Sequence, residues 1–183
     1  MITAEDFEAR WKGSELSRLG ENSIATQYIS EQSREFLVKA GLPRETFFEA
    51  EFSFDLSEDK LKFFDGNMVE VSKDDVSIRY LQIGKQLSSL ICINLENEEI
   101  IILRTRLKKT EFVSSSVNRL AELIIIFDEV FDKFREGKID RKNKKEVKSE
   151  ADFLLHSVKQ IDEKALTTET VWTEMIEIIE GML

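Results

Sequence analysis

The spacing of the hydrophobic residues changes twice along this chain of 183 residues, and that change limits the folds the chain can adopt. The spacing is helical near the N-terminus, alternates by two through the centre, and is helical again beyond residue 114. In 48–55 and in 76–83 apolar and polar residues alternate, as expected of strands with one solvent-facing side. The pattern predicts a single α+β domain in which N-terminal and C-terminal helices flank a central antiparallel sheet.

Two short helices are predicted ahead of the sheet. The first covers 3–12, where Phe7 and Trp11 lie one turn apart on the same face. The second covers 30–40 and ends at Gly41, a residue that readily takes the left-handed conformation of a helix stop. The expected N-caps are Thr3 and Ser30.

The strands of the central region are separated by polar turns. Segments 61–64 and 69–71 flank the turn sequence 65–67 and are expected to form a hairpin. Segments 90–95 and 100–103 are almost continuously apolar, which is typical of strands at the covered centre of a sheet. Three isolated glycines are each assigned to a turn: Gly41, Gly66 and Gly84.

The C-terminal half is predicted to be helical, with one long helix packed on the sheet. This helix covers 114–134 with Ser114 or Ser115 as its N-cap, and its apolar stripe is wider than that of a surface helix. Segment 135–148 is rich in Lys and Arg and is interpreted as a charged loop or hinge, in preference to a basic docking strip. A C-terminal helical pair is expected in 149–183.

The residue inventory argues against catalysis. His156 is the only histidine and Cys92 the only cysteine, so the chain has neither a metal-ligand set nor a nucleophile paired with a base. Cys92 lies in an apolar strand and is expected to be a buried, inert thiol. The sequence therefore predicts a protein that is not an enzyme and uses no cofactor or metal.

The charge of the chain restricts its partners. The net charge of −10 disfavours binding to nucleic acid or to an anionic membrane, and it would speed association with a basic protein. Such a charge also keeps a protein in solution, which is the simpler explanation. The N-terminal sequence is acidic where a signal peptide would be basic, and no apolar run is long enough to span a bilayer, so a cytoplasmic location is expected.

Three patches of the sequence, in order, resemble the SUKH superfamily of immunity proteins, and most closely its fourth subgroup. The first is the helix end at 36–43, which closes with Gly41-Leu42-Pro43. The second comprises Tyr80-Leu81-Gln82-Ile83-Gly84, Ile91-Cys92-Ile93-Asn94 and Phe112-Val113-Ser114-Ser115-Ser116-Val117. The third begins at Ile161-Asp162-Glu163-Lys164-Ala165-Leu166 and continues through Trp172 to Ile179.

The resemblance implies an antiparallel sheet flanked by helices and a function in immunity. Proteins of this superfamily neutralise polymorphic bacterial toxins, commonly nucleases or other nucleic-acid-modifying enzymes, by binding them. An acidic chain suits a basic toxin, because opposite charge raises the association rate. We therefore expect the partner to contact acids on the solvent-facing side of the sheet and its turns: Glu49, Glu51, Asp55, Asp59, Glu70, Asp74 and Asp75.

Other interpretations of the sequence remain open. A regulatory or scaffolding module on the same fold would also bind protein without catalysis. The weaker alternatives are an enzyme that uses carboxylates alone, an acidic domain that binds a small ligand, and a nucleic-acid contact through 133–148. The sequence leaves the oligomeric state undetermined, with a monomer favoured.

Overall fold

The computed structural model describes residues 1–46, 52–75, 77–166 and 170–181. A seven-stranded antiparallel sheet forms its centre. Its strands are β3 (Phe52–Phe54), β4 (Lys62–Asp65), β5 (Glu70–Val71), β6 (Ile78–Gln86), β7 (Ser89–Asn94), β8 (Ile100–Arg104) and β9 (Lys109–Ser114). The strand order is β5-β4-β6-β7-β8-β9, and β3 pairs with the C-terminal half of β6 beside β4.

Five α-helices pack with one face of this sheet around the main hydrophobic core, and the predicted α+β architecture is confirmed. They are α1 (Ala4–Arg10), α2 (Glu31–Lys39), α3 (Val117–Arg135), α4 (Lys144–Asp162) and α5 (Val171–Gly181). A separate two-stranded sheet joins β1 (Leu16–Ser17) to β2 (Leu42–Pro43), and short 3₁₀ turns cover Ile24–Gln27, Thr105–Leu107 and Glu163–Leu166.

Helix α3 is the central element of the core, as its wide apolar stripe predicts. Leu120, Ile124 and Phe127 are completely buried. The ring of Trp172, on α5, lies 4.9 Å from that of Phe127, and its indole N–H donates a hydrogen bond of 2.7 Å to the carbonyl of Val113. Because a buried large apolar side chain stabilises a fold by roughly 1.5–3 kcal/mol, this helix contributes a large part of the hydrophobic stabilisation.

The ends of the N-terminal helices follow the predicted capping. The hydroxyl of Thr3 accepts a hydrogen bond from the N–H of Asp6, and the hydroxyl of Ser30 accepts one from the N–H of Ser33. Gly41 has a φ of +76°, so the left-handed stop predicted after α2 is confirmed.

The start of α3 differs from the prediction. Its N-cap is Ser116, whose hydroxyl accepts a hydrogen bond of 3.3 Å from the N–H of Arg119, and not Ser114 or Ser115. All three residues are serines with similar capping preferences, so the sequence alone does not distinguish them. The structure does so because Ser114 and Ser115 bind a distant carboxylate.

That carboxylate belongs to Asp162, the last residue of α4. It accepts hydrogen bonds from the N–H of Ser115 (2.6 Å), the hydroxyl of Ser115 (2.9 Å) and the hydroxyl of Ser114 (3.2 Å), and it lies 3.5 Å from the guanidinium of Arg119. Its side chain is 1% exposed. The contact ties the end of α4 to the junction between β9 and α3, two segments that are far apart in the sequence.

Three further features depart from the prediction. Gly84 lies inside β6 and not in a turn, since the strand continues to Gln86. Strand β9 was not predicted, because only its last two residues are buried and its burial does not alternate. Helix α4 begins at Lys144, within the segment interpreted as a loop, because Asn143 caps it by accepting hydrogen bonds from the N–H groups of Lys145 and Glu146.

Replacing Asp162 tests the contact between α4 and the start of α3. Asp162→Asn places an amide among the hydroxyl and N–H donors that the buried carboxylate satisfies, and it removes the charge that faces the partly exposed guanidinium of Arg119. The free energy of unfolding is expected to fall by about 2–3 kcal/mol. Urea unfolding measures this change. Asp152→Asn, an exposed position on the same helix, is the matched control; equal losses in both variants would contradict a specific role of Asp162.

Candidate functional site

The face of the sheet away from the helices has an apolar cluster of its own. Phe64, Cys92, Ile101 and Leu103 are buried there, with Met68, Tyr80 and Leu90 packed around them. The pairing of the strands explains this grouping, because Phe64 lies opposite Tyr80, Cys92 opposite Ile101, and Leu90 opposite Leu103. All seven residues come from strands or from the β4–β5 turn, and within the described ranges no helix contributes to the cluster. We call this surface the helix-free face.

A cavity of about 600 Å³ lies on the helix-free face. Its apolar lining includes Phe54, Phe64 and Leu90, which belong to three different strands. Charged side chains line the rest of it: Arg44, Glu45, Asp55, Lys60, Lys62, Glu70 and Lys85. The cavity therefore combines a partly apolar wall with a rim of both charge signs, an arrangement that suits a side chain of another protein better than a purely apolar ligand.

Most of the cations on this rim are paired. Lys62 lies 2.9 Å from Glu70, Lys60 lies 2.9 Å from Asp59, and Arg44 lies 3.2 Å from Glu15. Lys85 forms no ion pair with any residue that the structure describes. It is exposed and thus remains available to a carboxylate of a partner.

Asp55 is held in a fixed orientation at the cavity wall. Its carboxylate accepts a hydrogen bond of 2.6 Å from the hydroxyl of Ser57 and one of 3.2 Å from the N–H of the same residue. The hydroxyl hydrogen bond of Ser57 is the main reason why the pKa of Asp55 is lowered from its usual value. Asp55 therefore presents a charged group to the cavity at neutral pH.

The structure brings together only some of the acids predicted as contact residues. Asp55 and Glu70 both line the cavity. Asp59 is exposed outside it, and its pKa is lowered chiefly by the hydrogen bond from Lys60. Asp74 and Asp75 lie in the connection between β5 and β6, where Asp75 accepts a hydrogen bond of 3.0 Å from the N–H of Ser72. Glu49 and Glu51, together with the first half of the predicted strand 48–55, lie outside the described residues.

Several residues of the cavity were not singled out from the sequence. Lys85 and Leu90 stand opposite each other on β6 and β7, but a shift of register between Gln82 and Gly84 precedes this pair. The shift is a β-bulge, and strand alternation alone does not locate it. The isolated Gly84 was the one available signal, because a glycine inside a strand pattern often marks a bulge.

Gly84 brings β3 close to β6 beside the cavity. A Cβ at this position would lie 2.4 Å from the carbonyl oxygen of Ser53 and 2.9 Å from the ring of Phe54. Glycine is therefore required here by the close approach of a neighbouring backbone. The bulge and the glycine together shape the wall on which Ser53 and Lys85 face each other.

A second cavity, of about 360 Å³, lies on the helical side between the end of α1 and α3. Asp128 lines it and is 5% exposed, and Asp132 and Glu129 lie nearby on the same helix. Burial, and secondarily the charge of Asp132, raise the pKa of Asp128 to about 6, although the guanidinium of Arg135 opposes the change. The ionised form of Asp128 is therefore unfavourable in the folded protein.

The positions of the only cysteine and the only histidine do not favour catalysis. Cys92 is completely buried, as predicted, and burial raises the pKa of its thiol. His156 is exposed on α4. Across the described ranges, no three His, Cys, Asp or Glu side chains are grouped so that they could hold a metal ion. Likewise, no described helix is both long and apolar enough to cross a membrane.

These features define an α+β protein whose sheet is covered by helices on one side and presents a strand surface on the other. The chain belongs to the SUKH-4 immunity protein family, whose model matches residues 2–178. The resemblance seen in the sequence is confirmed, and family membership supports an immunity function. Comparisons with curated proteins and with solved structures produced no match.

Replacing Gly84 tests the close approach of β3 to β6. Gly84→Ala introduces a methyl group against the backbone of Ser53, and we expect the free energy of unfolding to fall by roughly 1–3 kcal/mol. Thermal or urea unfolding measures the loss. Gly20→Ala is the control, because a Cβ at Gly20 meets nothing within 4 Å. A Gly84→Ala variant as stable as the control would contradict the proposed requirement for glycine.

Replacing Asp128 tests the cost of burying its charge. The folded-state pKa, about 6, lies above the usual value of 3.8. Ionised Asp128 therefore destabilises the folded protein fully above pH 6, and this destabilisation disappears as the pH falls towards 4. A pKa difference of one corresponds to about 1.4 kcal/mol, so Asp128→Asn should raise the free energy of unfolding at pH 7 by roughly 2–3 kcal/mol.

Urea unfolding at a series of pH values gives the test. The advantage of Asp128→Asn over the wild type should shrink steadily between pH 7 and pH 4. Asp74→Asn, at an exposed loop position, should follow the wild type throughout. An advantage that does not change with pH would show that the variant acts through something other than the charge of Asp128.

Proposed function

We propose that this chain neutralises a cognate polymorphic bacterial toxin by direct protein–protein contact in the cytoplasm, and that the toxin domain is a nuclease or another nucleic-acid-modifying enzyme. The observation that carries the proposal is the family match over residues 2–178, which covers nearly the whole chain. A function by binding also agrees with the chemistry of the site, in which the reactive groups are a buried thiol and carboxylates held by hydrogen bonds or ion pairs.

The helix-free face is the contact surface in this proposal. Its apolar cluster is small, no described helix contributes to it, and its cavity of about 600 Å³ is large enough to receive a side chain of the toxin. Ion pairs such as Lys62–Glu70 and the hydrogen bonds to Asp55 already restrict part of the rim, so that these side chains lose less freedom on binding. A central apolar pocket with a charged rim is the usual anatomy of a protein–protein contact.

Electrostatic attraction favours a basic toxin as the partner. The net charge of −10 would steer a basic toxin towards this chain. Asp55, Glu70 and Asp59 lie on or near the cavity on the β3–β5 side of the sheet. We propose these acids as contact residues together with Asp74, Asp75, Glu49 and Glu51, and we propose that a monomer of the chain binds the toxin.

Substitution of the two cavity acids tests the contact. Asp55→Asn combined with Glu70→Gln removes two negative charges from the cavity, and we expect about a tenfold slower association with the toxin at low salt, with a smaller change in the dissociation rate. Surface plasmon resonance measures both rates, with the polymorphic toxin domains of the source genome as binding partners. Survival of cells that co-express the toxin gives a second measurement.

The control variant is Asp152→Asn with Glu177→Gln, which removes two exposed acids from the helices. It should associate almost as fast as the wild type, and both variants must retain the wild-type thermal midpoint. If the wild type neither binds the toxin nor protects the cells, neutralisation is wrong and a regulatory or scaffolding module becomes the better interpretation. If the wild type binds and the cavity variant matches the control, the toxin contacts another surface.

A further inference from the structure

Two turns lie side by side at one end of the sheet. The pair Gln86 and Ser89 closes the β6–β7 turn, and the pair Arg104 and Lys109 closes the β8–β9 turn. Because β7 pairs with β8 and the two turns lie at the same end of these strands, they are separated by roughly two strand spacings, about 10 Å. We call this surface the turn end.

Each turn exposes a leucine. Leu87 is 72% exposed and Leu107 is 65% exposed, which makes them two of the most exposed large apolar side chains in the described chain. Neither leucine is part of the two buried hydrophobic clusters. Because both side chains remain exposed, they contribute almost no hydrophobic stabilisation to the fold.

Leu87 is also unfavourable for the backbone. It has a φ of +52° at the first position of a two-residue hairpin turn, a conformation that favours glycine or asparagine. A leucine at this position is both strained and exposed, so neither the turn nor the packing explains it. Strain of this kind that serves no purpose in the fold points to a function in binding.

The charge of the turn end is opposite to that of the whole chain. Lys85, Arg106, Lys108 and Lys109 are all exposed there, and none forms an ion pair with a residue that the structure describes. Arg104, by contrast, pairs with Glu111 at 2.5 Å. A chain with a net charge of −10 thus has four unpaired cations around two exposed leucines.

We infer that the turn end is a second part of the toxin-binding surface and that it binds an acidic segment of the toxin that also presents apolar side chains. This inference rests on the proposed function and adds the chemistry of the segment that is bound. The turn end is continuous with the proposed contact surface, since Lys85 and Leu90 line the cavity of the helix-free face. Acids at one side of the surface and cations at its end would bind a toxin in one orientation only.

Basic residues around exposed leucines also suit the surface of an anionic membrane. A protein partner fits the molecule better for two reasons. The net charge of −10 repels an anionic bilayer at long range. In addition, the cations continue into a cavity lined by strands, a concave surface that a flat membrane would leave empty.

The experiment compares binding with stability in the full chain. Leu87→Gly relieves the strained backbone, so its thermal midpoint should equal or exceed that of the wild type. Its affinity for the toxin domain used in the association measurements should fall about tenfold. Arg106→Glu combined with Lys109→Glu should weaken binding by at least as much, and by more at low salt than at high salt.

Matched controls come from other parts of the surface. Leu155→Ser replaces a leucine that is 47% exposed on α4, on the helical side of the molecule. Lys142→Glu combined with Lys145→Glu reverses two exposed, unpaired charges on the helical side. Both controls should bind the toxin domain with an affinity close to that of the wild type.

The outcomes separate this inference from the proposed function. If the wild type fails to bind the toxin and to protect cells, the proposed function is wrong and this inference falls with it. If the wild type binds and protects while the Leu87 and charge-reversal variants match their controls, only this inference is overturned. Binding of the wild type to phosphatidylserine vesicles that these variants lose, with toxin binding kept, would assign the turn end to a membrane and also overturn it.

Discussion

The carboxylate of Asp162 is the contact on which the arrangement of the molecule depends. By binding Ser114 and Ser115 it fixes where β9 ends and α3 begins, while the apolar stripe of α3 decides which side of that helix meets the sheet. The same junction receives the indole hydrogen bond of Trp172 at Val113, which places α5 over the core. Both contacts hold the C-terminal helices against one face of the sheet, and the other face consists of strand and turn residues.

The periodicity of the sequence was sufficient to predict the helices and most of the strands, because those elements follow from local patterns of burial. The sequence did not predict features that depend on distant partners. The N-cap of α3 falls on Ser116 because Asp162, far along the chain, binds the two serines before it. Similarly, β9 is identifiable only by its pairing with β8.

Some residues of the candidate site also follow from local sequence patterns, whereas others depend on distant partners. Asp55 and Glu70 could be selected from the sequence, since strand alternation and turn position predict solvent-facing acids. The opposed pair Lys85 and Leu90 depends on the bulge in β6, which shifts the register of the strands. Strand alternation does not identify the cations beside these acids, whereas the structure pairs Glu70 with Lys62 and Asp59 with Lys60, so that the cavity is not uniformly acidic.

The separation of two apolar clusters by the sheet has a consequence for how such a protein can change in evolution. The main core contains all five helices, whereas the cluster on the other side consists of strand and turn residues alone. Substitutions among the surrounding polar side chains can therefore alter recognition while the helical core stays intact. If the proposed function holds, point mutations on this layer adapt the protein to a new toxin without rebuilding the scaffold that carries the layer.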